Sequence, residues 1–196
     1  MLSDLMIRSY IEYGKLGIRP LSPETIRENG VDLRFSDAFQ PLKKTDAIYD
    51  THLPSAEQNP LFFDPVIHAD YYDLQPGCAV QVATMEWIDM PVDLCAMINL
   101  RSTYARLMTL GSPTAINAGW HGNVVYTLQS PYPYGVRLYK GDRFMHVLFD
   151  SLTSPAEKPY DKDGKYQDQQ GMVGPKMDVE KTTRRIRVPA IPEKTL

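Results

Sequence analysis

Two arginines five residues apart, Arg101 and Arg106, are the side chains of this sequence best suited to bind an anion with several oxygens. Two hydroxyl residues, Ser102 and Thr103, follow the first arginine directly. A guanidinium group binds phosphate oxygens through paired, charge-assisted hydrogen bonds, and hydroxyl groups offer further donors. The spacing therefore predicts a site for a polyphosphate such as that of a nucleoside triphosphate.

Acidic residues are missing around these arginines, since no Asp or Glu occurs between Leu94 and Gly141. Hydrolysis or deamination of a nucleotide normally uses a carboxylate, either as a general base or as a ligand of a metal that activates water. This region of the sequence therefore predicts binding more clearly than catalysis.

The overall composition indicates one globular domain. The chain has 196 residues, 43% of them hydrophobic, and a formal net charge of −3. That charge gives no general attraction to nucleic acid or to an anionic membrane. The start of the chain lacks a basic region followed by an apolar one, and there is no apolar run of about 18 residues. We therefore expect neither a secretion signal nor a membrane span.

The two cysteines, Cys78 and Cys95, lie in apolar surroundings and lack the spacing of a metal site. Free cysteines commonly behave as small buried hydrophobic residues, whereas disulfides are typical of exported proteins. We therefore expect reduced thiols and a cytoplasmic location. No set of His, Cys and carboxylate residues has the spacing of a zinc site, so we expect no tightly bound metal.

The local pattern predicts a mainly β fold with one short N-terminal helix. Ser3 is a suitable N-cap for that helix, apolar residues recur at helical spacing, and Gly14 ends it. Beyond it, short β-type runs and turn residues predict an all-β sandwich or a distorted barrel. The predicted strands are 31–35, 78–87, 94–100, 123–129, 136–139 and 143–149.

Two regions lack this pattern. Segment 40–75 is rich in proline and is predicted to be an irregular excursion over the surface. Residues 171–196 form a polar tail to a domain of residues 1–170, and they have too little apolar surface to fold alone. The tail's basic residues have no aromatic residues among them, so we interpret them as a solvated arm rather than as a nucleic-acid contact: Lys176, Lys181, Arg184, Arg185 and Arg187.

Several motifs, in order along the chain, resemble those of the family of dCTP deaminases and trimeric dUTPases, most closely the deaminase branch. They include Arg-Ser-Thr-Tyr-Ala-Arg-Leu at 101–107, Asn-Ala-Gly-Trp-His-Gly at 117–122 and Lys-Tyr-Gln-Asp-Gln-Gln-Gly at 165–171. The resemblance implies the dUTPase-like fold, a distorted β-barrel or jelly roll. It also implies a homotrimer whose nucleotide sites are shared between subunits.

The same resemblance implies roles for individual residues. Residues that would bind the triphosphate are Arg101, Ser102, Thr103, Arg106, Lys165 and Tyr160. Residues that would contact the sugar and base are Ala115, Asn117, Trp120 and Gln169. Trp120 would pack against the deoxyribose, although a core tryptophan is the alternative, and Gln169 would close over the nucleotide. The ligand would be dCTP, dUTP or a related nucleotide, accompanied by Mg²⁺.

The chain departs from the family pattern at the residues that do the chemistry. Thr127 stands where the deaminases have a catalytic glutamate, and Asn117 stands where an aspartate opens the motif. Neither a threonine hydroxyl nor an amide accepts a proton near neutral pH without a stronger base beside it. His121 is a candidate substitute because an imidazole titrates near neutrality. Other candidates are the carboxylates Asp32, Asp142, Asp161, Asp163 and Asp168.

Two functions follow from the sequence. The first is a protein of the dCTP deaminase family that binds a nucleotide triphosphate, sequesters or senses it, and has lost or altered the ancestral deamination. The second is an active deaminase or dUTPase-type hydrolase that uses a rearranged base. The base of the nucleotide stays unassigned, because the loop before Gly119 is shorter than in typical deaminases.

Overall fold

The computed structural model describes residues 1–130, 133–160 and 164–177. In these residues the chain forms three short helices and twelve strands. The helices are α1 (Asp4–Glu12), α2 (Ser55–Phe62) and α3 (Ser102–Arg106). The strands are β1 (Gly17–Arg19), β2 (Ile26–Arg27), β3 (Gly30–Pro41), β4 (Ile67–His68), β5 (Tyr71–Leu74), β6 (Ala79–Asp89), β7 (Leu94–Leu100), β8 (Leu110–Gly111), β9 (Thr114–Ile116), β10 (His121–Gln129), β11 (Val136–Tyr139) and β12 (Arg143–Ser151).

Helix α1 confirms the predicted N-terminal helix. The Ser3 side chain accepts a hydrogen bond from the Met6 amide, and Ile7 faces the core with no exposed surface. Gly14 has a φ of +67°, a left-handed conformation that costs glycine little and ends the helix.

Ten strands form one curled sheet, whose central order is β8-β10-β6-β3-β12-β7-β9. The long strand β3 joins the two halves of this sheet: its residues 31–34 pair with β12, and its residues 35–41 pair with β6. Register shifts interrupt both pairings, and such irregularities bend a strand. The prediction of a mainly β, barrel-like fold is confirmed, as are the six predicted strands.

Aromatic residues from β3 and its neighbours fill the core enclosed by the curled sheet. Phe35 stacks on Phe144 with ring centroids 3.8 Å apart, and both side chains are fully buried. Strands β10 and β12 bury every second residue over most of their length, as expected where one face of a sheet lies on the core. The core therefore stabilises the strands that carry the candidate site.

The prediction that segment 40–75 is irregular is wrong in part, because it contains α2 and the strands β4 and β5. Helix α2 has no amphipathic pattern and contains Pro60, so its sequence gives no helix signal. Polar contacts hold it instead. The buried Gln58 amide donates hydrogen bonds to the carbonyl oxygens of Asp50 and Leu53.

A buried ion pair connects β3 to β6. Glu86 has no exposed surface, and its carboxylate accepts hydrogen bonds from the Arg34 amide and from Arg34 Nε, at 2.8 and 2.6 Å. Both cysteines are unpaired and half-buried. Within the described residues, no helix is long and apolar enough to cross a membrane.

Candidate functional site

A cavity lies where β6, β9 and β10 meet the C-terminal segment. Its volume is about 330 Å³, at the small end of the range for ligand pockets. All four residues with predicted sugar or base roles, Ala115, Asn117, Trp120 and Gln169, line it together with Tyr160. None of the described lining residues is Asp, Glu, Lys, Arg or His. The wall can therefore pack against a ring and form hydrogen bonds, but it offers no charge.

The turn before β10 packs tightly against the C-terminal segment. Gly119 has a φ of +81°, and a Cβ there would lie 2.8 Å from the Pro159 Cβ. Trp120 is 8% exposed, and its indole N–H donates to the Tyr166 carbonyl oxygen at 2.8 Å. Trp120 thus serves as a core residue and as a cavity wall at once.

Gln169 attaches the C-terminal segment to β10. Its side-chain amide donates to the Asn123 carbonyl oxygen at 2.8 Å, and the Asn123 amide donates to the Gln169 carbonyl oxygen at 2.9 Å. Further along, the Met177 amide donates to Ser55 Oγ at 2.7 Å. Residues 171–177 therefore lie on the domain next to the cavity. Four residues of the basic cluster, Lys181, Arg184, Arg185 and Arg187, lie outside the described residues.

Of the predicted phosphate ligands, Tyr160 lines the cavity, whereas the arginines and hydroxyl residues of 101–106 lie elsewhere. Arg101 and Thr103 line a second depression, of about 430 Å³, and neither lines the cavity. We call this depression the Arg101 surface; its lining residues are Arg101, Thr103, Tyr104, Leu107, Val136, Arg137, Tyr139, Asp142 and Arg143. Its three guanidinium groups give it the charge that the cavity lacks.

A buried carboxylate holds Arg101 in place. Asp32 is 3% exposed and lies 3.0 Å from Arg101 Nε and 2.8 Å from His146 Nδ1. Arg101 Nη1 also donates to the Arg143 carbonyl oxygen at 3.2 Å. A buried carboxylate needs cationic and hydrogen-bonding partners, and Asp32 finds them in Arg101 and His146. Asp32 therefore fixes the Arg101 guanidinium at the start of α3, and its oxygens are engaged in these contacts.

Helix α3 rests on the core through Tyr104. The Tyr104 ring is 8% exposed and meets Phe35 edge to face, with centroids 5.7 Å apart. Burial raises the pKa of Tyr104 to about 12. The neighbouring Ser102 and Arg106 side chains are exposed, so they are accessible to a ligand. Lys165 is exposed as well and lines neither depression.

The candidate catalytic residues do not converge on the cavity. Thr127 is half-buried, pairs in register with Gln81, and is not a lining residue. His121 Nδ1 lies 3.5 Å from the Asp168 carboxylate, and both residues lie outside the cavity wall. Asp142 belongs to the Arg101 surface. Asp161 and Asp163 are outside the described residues.

Gln81 and Tyr166 also line the cavity, and no role was predicted for either of them. Gln81 belongs to no recognisable motif. The feature that would have identified it is the register between β6 and β10, which places it opposite Thr127. That register becomes visible only in the folded sheet. In the described part of the chain, no group of three or more His, Cys, Asp or Glu residues is arranged to hold a metal ion.

The fold is similar to that of the 2′-deoxycytidine 5′-triphosphate deaminase from Agrobacterium tumefaciens. The TM-score is 0.61 at 20% sequence identity, over 78% of this chain and 48% of that chain. At this identity the likeness shows the fold, a mainly β architecture of the dUTPase-like type.

Residues 1–152 match the family model described as dCTP deaminase-like. The dCTP deaminase of Desulfurococcus amylolyticus is 40% identical over 179 residues, which are 91% of this chain and 96% of that protein. The dCTP deaminase of Staphylothermus marinus is 41% identical over 91% of this chain and 99% of its own length. This chain belongs to the dCTP deaminase-like family, and the predicted family resemblance is confirmed.

Proposed function

We propose that this protein binds a pyrimidine deoxynucleoside triphosphate in the cavity, with dCTP as the first candidate, and works in pyrimidine deoxynucleotide metabolism. One observation carries the proposal: a chain of this family has an uncharged cavity formed by Ala115, Asn117, Trp120 and Gln169, the residues with predicted sugar and base roles. Such a wall suits a base and a deoxyribose, since a neutral ring needs packing and a few hydrogen bonds.

We further propose that the complete site needs a second copy of the chain, in a homotrimer. The cavity of one chain has no phosphate-binding cation in its described wall, whereas Arg101 and Thr103 lie on a separate surface. If one copy's cavity faces another copy's Arg101 surface, the nucleotide meets both. Arg106 and Ser102, exposed on the same helix, would extend the phosphate contacts.

Deamination of dCTP is the leading candidate for the fate of the nucleotide, because named dCTP deaminases are about 40% identical over about 90% of this chain. In that hydrolysis water forms a new C4–O bond, the C4–N bond breaks, and ammonia leaves. A proton must move from the water to the leaving amine, which requires a basic group. Asp142 is the candidate here, because in the proposed trimer it would approach the cavity together with Arg101.

Binding without turnover, for sequestration or sensing, is the second candidate. The observation that favours it is the cavity wall itself, which contains no ionisable carboxylate or imidazole among its described residues. Thr127 and Asn117 cannot replace such a group alone. In either case we propose that Mg²⁺ arrives with the triphosphate. The cytoplasmic location stays a prediction.

One experiment separates these candidates. Purified protein is incubated with dCTP, dUTP and dTTP plus Mg²⁺, bound and free nucleotides are separated by filtration, and each species is identified by mass spectrometry. Conversion of dCTP to dUTP with release of ammonia supports the deaminase. Recovery of unchanged dCTP on the protein supports the binder. Absence of any retained or converted pyrimidine nucleotide contradicts the proposed function.

A further inference from the structure

Gln81 has an unpaired polar group at the cavity wall. Its side chain lines the cavity, and its Oε1 atom is buried without a hydrogen-bond partner. A buried carbonyl oxygen that loses its water and gains no donor destabilises the folded protein. This oxygen is therefore positioned to accept a hydrogen bond from an N–H group of a ligand.

The surroundings of Gln81 leave its side-chain oxygen available to a ligand. Its register partner on β10 is Thr127, and two residues further along the same two strands Val125 pairs with Ala83. The other glutamine of the wall, Gln169, already donates its side-chain amide to Asn123. Gln81 thus contributes both a donor and an acceptor in a neighbourhood that is otherwise largely apolar.

Resting on the proposed nucleotide binding, we propose that Gln81 is the residue that reads the base, by pairing its carboxamide with the hydrogen-bonding edge of a pyrimidine. Oε1 accepts an N–H from the base, and Nε2 donates to the acceptor beside it.

This pairing predicts a particular selectivity. Cytosine offers the 4-amino donor beside the N3 acceptor, whereas uracil offers the N3–H donor beside the O4 acceptor. A carboxamide matches either pattern, since rotation of its last torsion exchanges the positions of Oε1 and Nε2. The pocket should therefore accept cytosine and uracil deoxynucleotides with similar affinity, unlike a pocket with a fixed charged group at this position.

The test compares the wild type with Gln81→Leu, which removes both polar atoms and keeps an apolar side chain of similar size. Gln81→Met, which keeps the side-chain length, is measured in parallel. Gln129→Leu is the matched control: it is the same change on β10, two residues from Thr127, at an exposed residue that does not line the cavity. Equilibrium dialysis gives the Kd for dCTP and dUTP, and thermal melting without nucleotide gives the stability.

We expect wild-type Kd values for dCTP and dUTP within about threefold of each other. In Gln81→Leu and Gln81→Met both should rise about tenfold, the loss expected for a neutral hydrogen bond. The melting temperature should not fall, because an unsatisfied oxygen has been removed. Gln129→Leu should bind as the wild type does.

Unchanged affinity in both Gln81 variants would overturn the assignment of Gln81 while leaving the proposed function intact. A wild-type preference for one pyrimidine of more than about a hundredfold would overturn it as well. If the wild type binds neither nucleotide, the proposed function fails and this inference fails with it.

Discussion

The cavity and the Arg101 surface are built in opposite ways. The cavity has no charged side chain among its described wall residues, and aromatic rings and amides form much of it. The Arg101 surface has three guanidinium groups and one carboxylate, with Arg101 held by the buried Asp32. The two linings share no residue, so under the proposed function the neutral ring and the phosphates of a nucleotide would be bound by different surfaces.

The largest expected effect is on the rate of deamination and comes from adding a carboxylate beside the uncharged cavity. Thr127→Glu introduces a carboxylate beside Gln81, and a positioned general base commonly accelerates a reaction by about 10²–10⁴-fold. For a wild type that binds dCTP without turnover, we expect this change to raise the rate of dUTP formation from dCTP at least about a hundredfold, measured by chromatography. Thr127→Gln has a similar size but cannot accept a proton, so equal rates in the two variants would contradict the role of a base at this position.

Removing a positive charge from helix α3, next to the Arg101 surface, should weaken the affinity for dCTP. Arg106→Ala removes an exposed guanidinium at the last turn of α3, so the fold should be preserved while charge-assisted phosphate bonds are lost. We expect the Kd for dCTP to rise about a hundredfold in equilibrium dialysis. Deoxycytidine, which has no phosphate, is the control ligand, and its affinity should not change. An equal loss for both ligands would place Arg106 outside the phosphate site.

Alkaline pH should loosen the helix that carries the charged surface. The pKa of Tyr104 is raised by burial to about 12, from an ordinary value of 10.0. The unfolded chain therefore loses this proton first, so stability is full below pH 10 and falls as the pH rises toward 12. The expected loss is up to about 3 kcal/mol, since each pKa unit corresponds to about 1.4 kcal/mol.

Urea unfolding of the wild type and of Tyr104→Phe between pH 9 and 11.5 checks this expectation. The phenylalanine variant should lose less stability between pH 9 and 11.5, because residue 104 then has no hydroxyl proton to release. Parallel pH profiles of the two proteins would show that Tyr104 does not cause the loss.

The smallest effect concerns the turn that closes the cavity. In Gly119→Ala the new Cβ would lie 2.8 Å from the Pro159 Cβ, at a φ of +81° that side chains rarely adopt. We expect about 1–2 kcal/mol of lost stability and about tenfold weaker dCTP binding. Gly141→Ala is the matched control, since Gly141 has a φ of +86° but no atom within 4 Å of the new Cβ. Equal dCTP affinity in both variants would mean that the turn does not shape the cavity.

Much of the fold was predictable because β10 and β12 bury every second residue for most of their length, a pattern that can be read directly from the sequence. Helix α2 was not predictable. Its buried residue is Gln58, whose partners lie in the preceding loop, and such polar contacts leave no periodic signal. The extent of β3 was also underestimated, because a bulged strand breaks strict alternation.

The candidate site was predictable residue by residue but not as an arrangement. Motifs identified Trp120 and Gln169 on the cavity wall and Arg101 on the other surface. Their separation depends on the fold of the sheet, which no motif encodes. Gln81 escaped notice for the same reason, since its importance comes from the β6–β10 register and from an oxygen left unpaired.

The most direct test of the central claim is to measure dCTP binding by the cavity itself. Wild type and Trp120→Ala are dialysed against dCTP with Mg²⁺, and every retained species is identified by mass spectrometry. Our account predicts that the wild type retains a cytosine or uracil deoxynucleotide and that the variant retains at least about tenfold less, because Trp120 forms the cavity wall. Equal retention by both proteins, or none by the wild type, would contradict the assignment of the cavity as the nucleotide site.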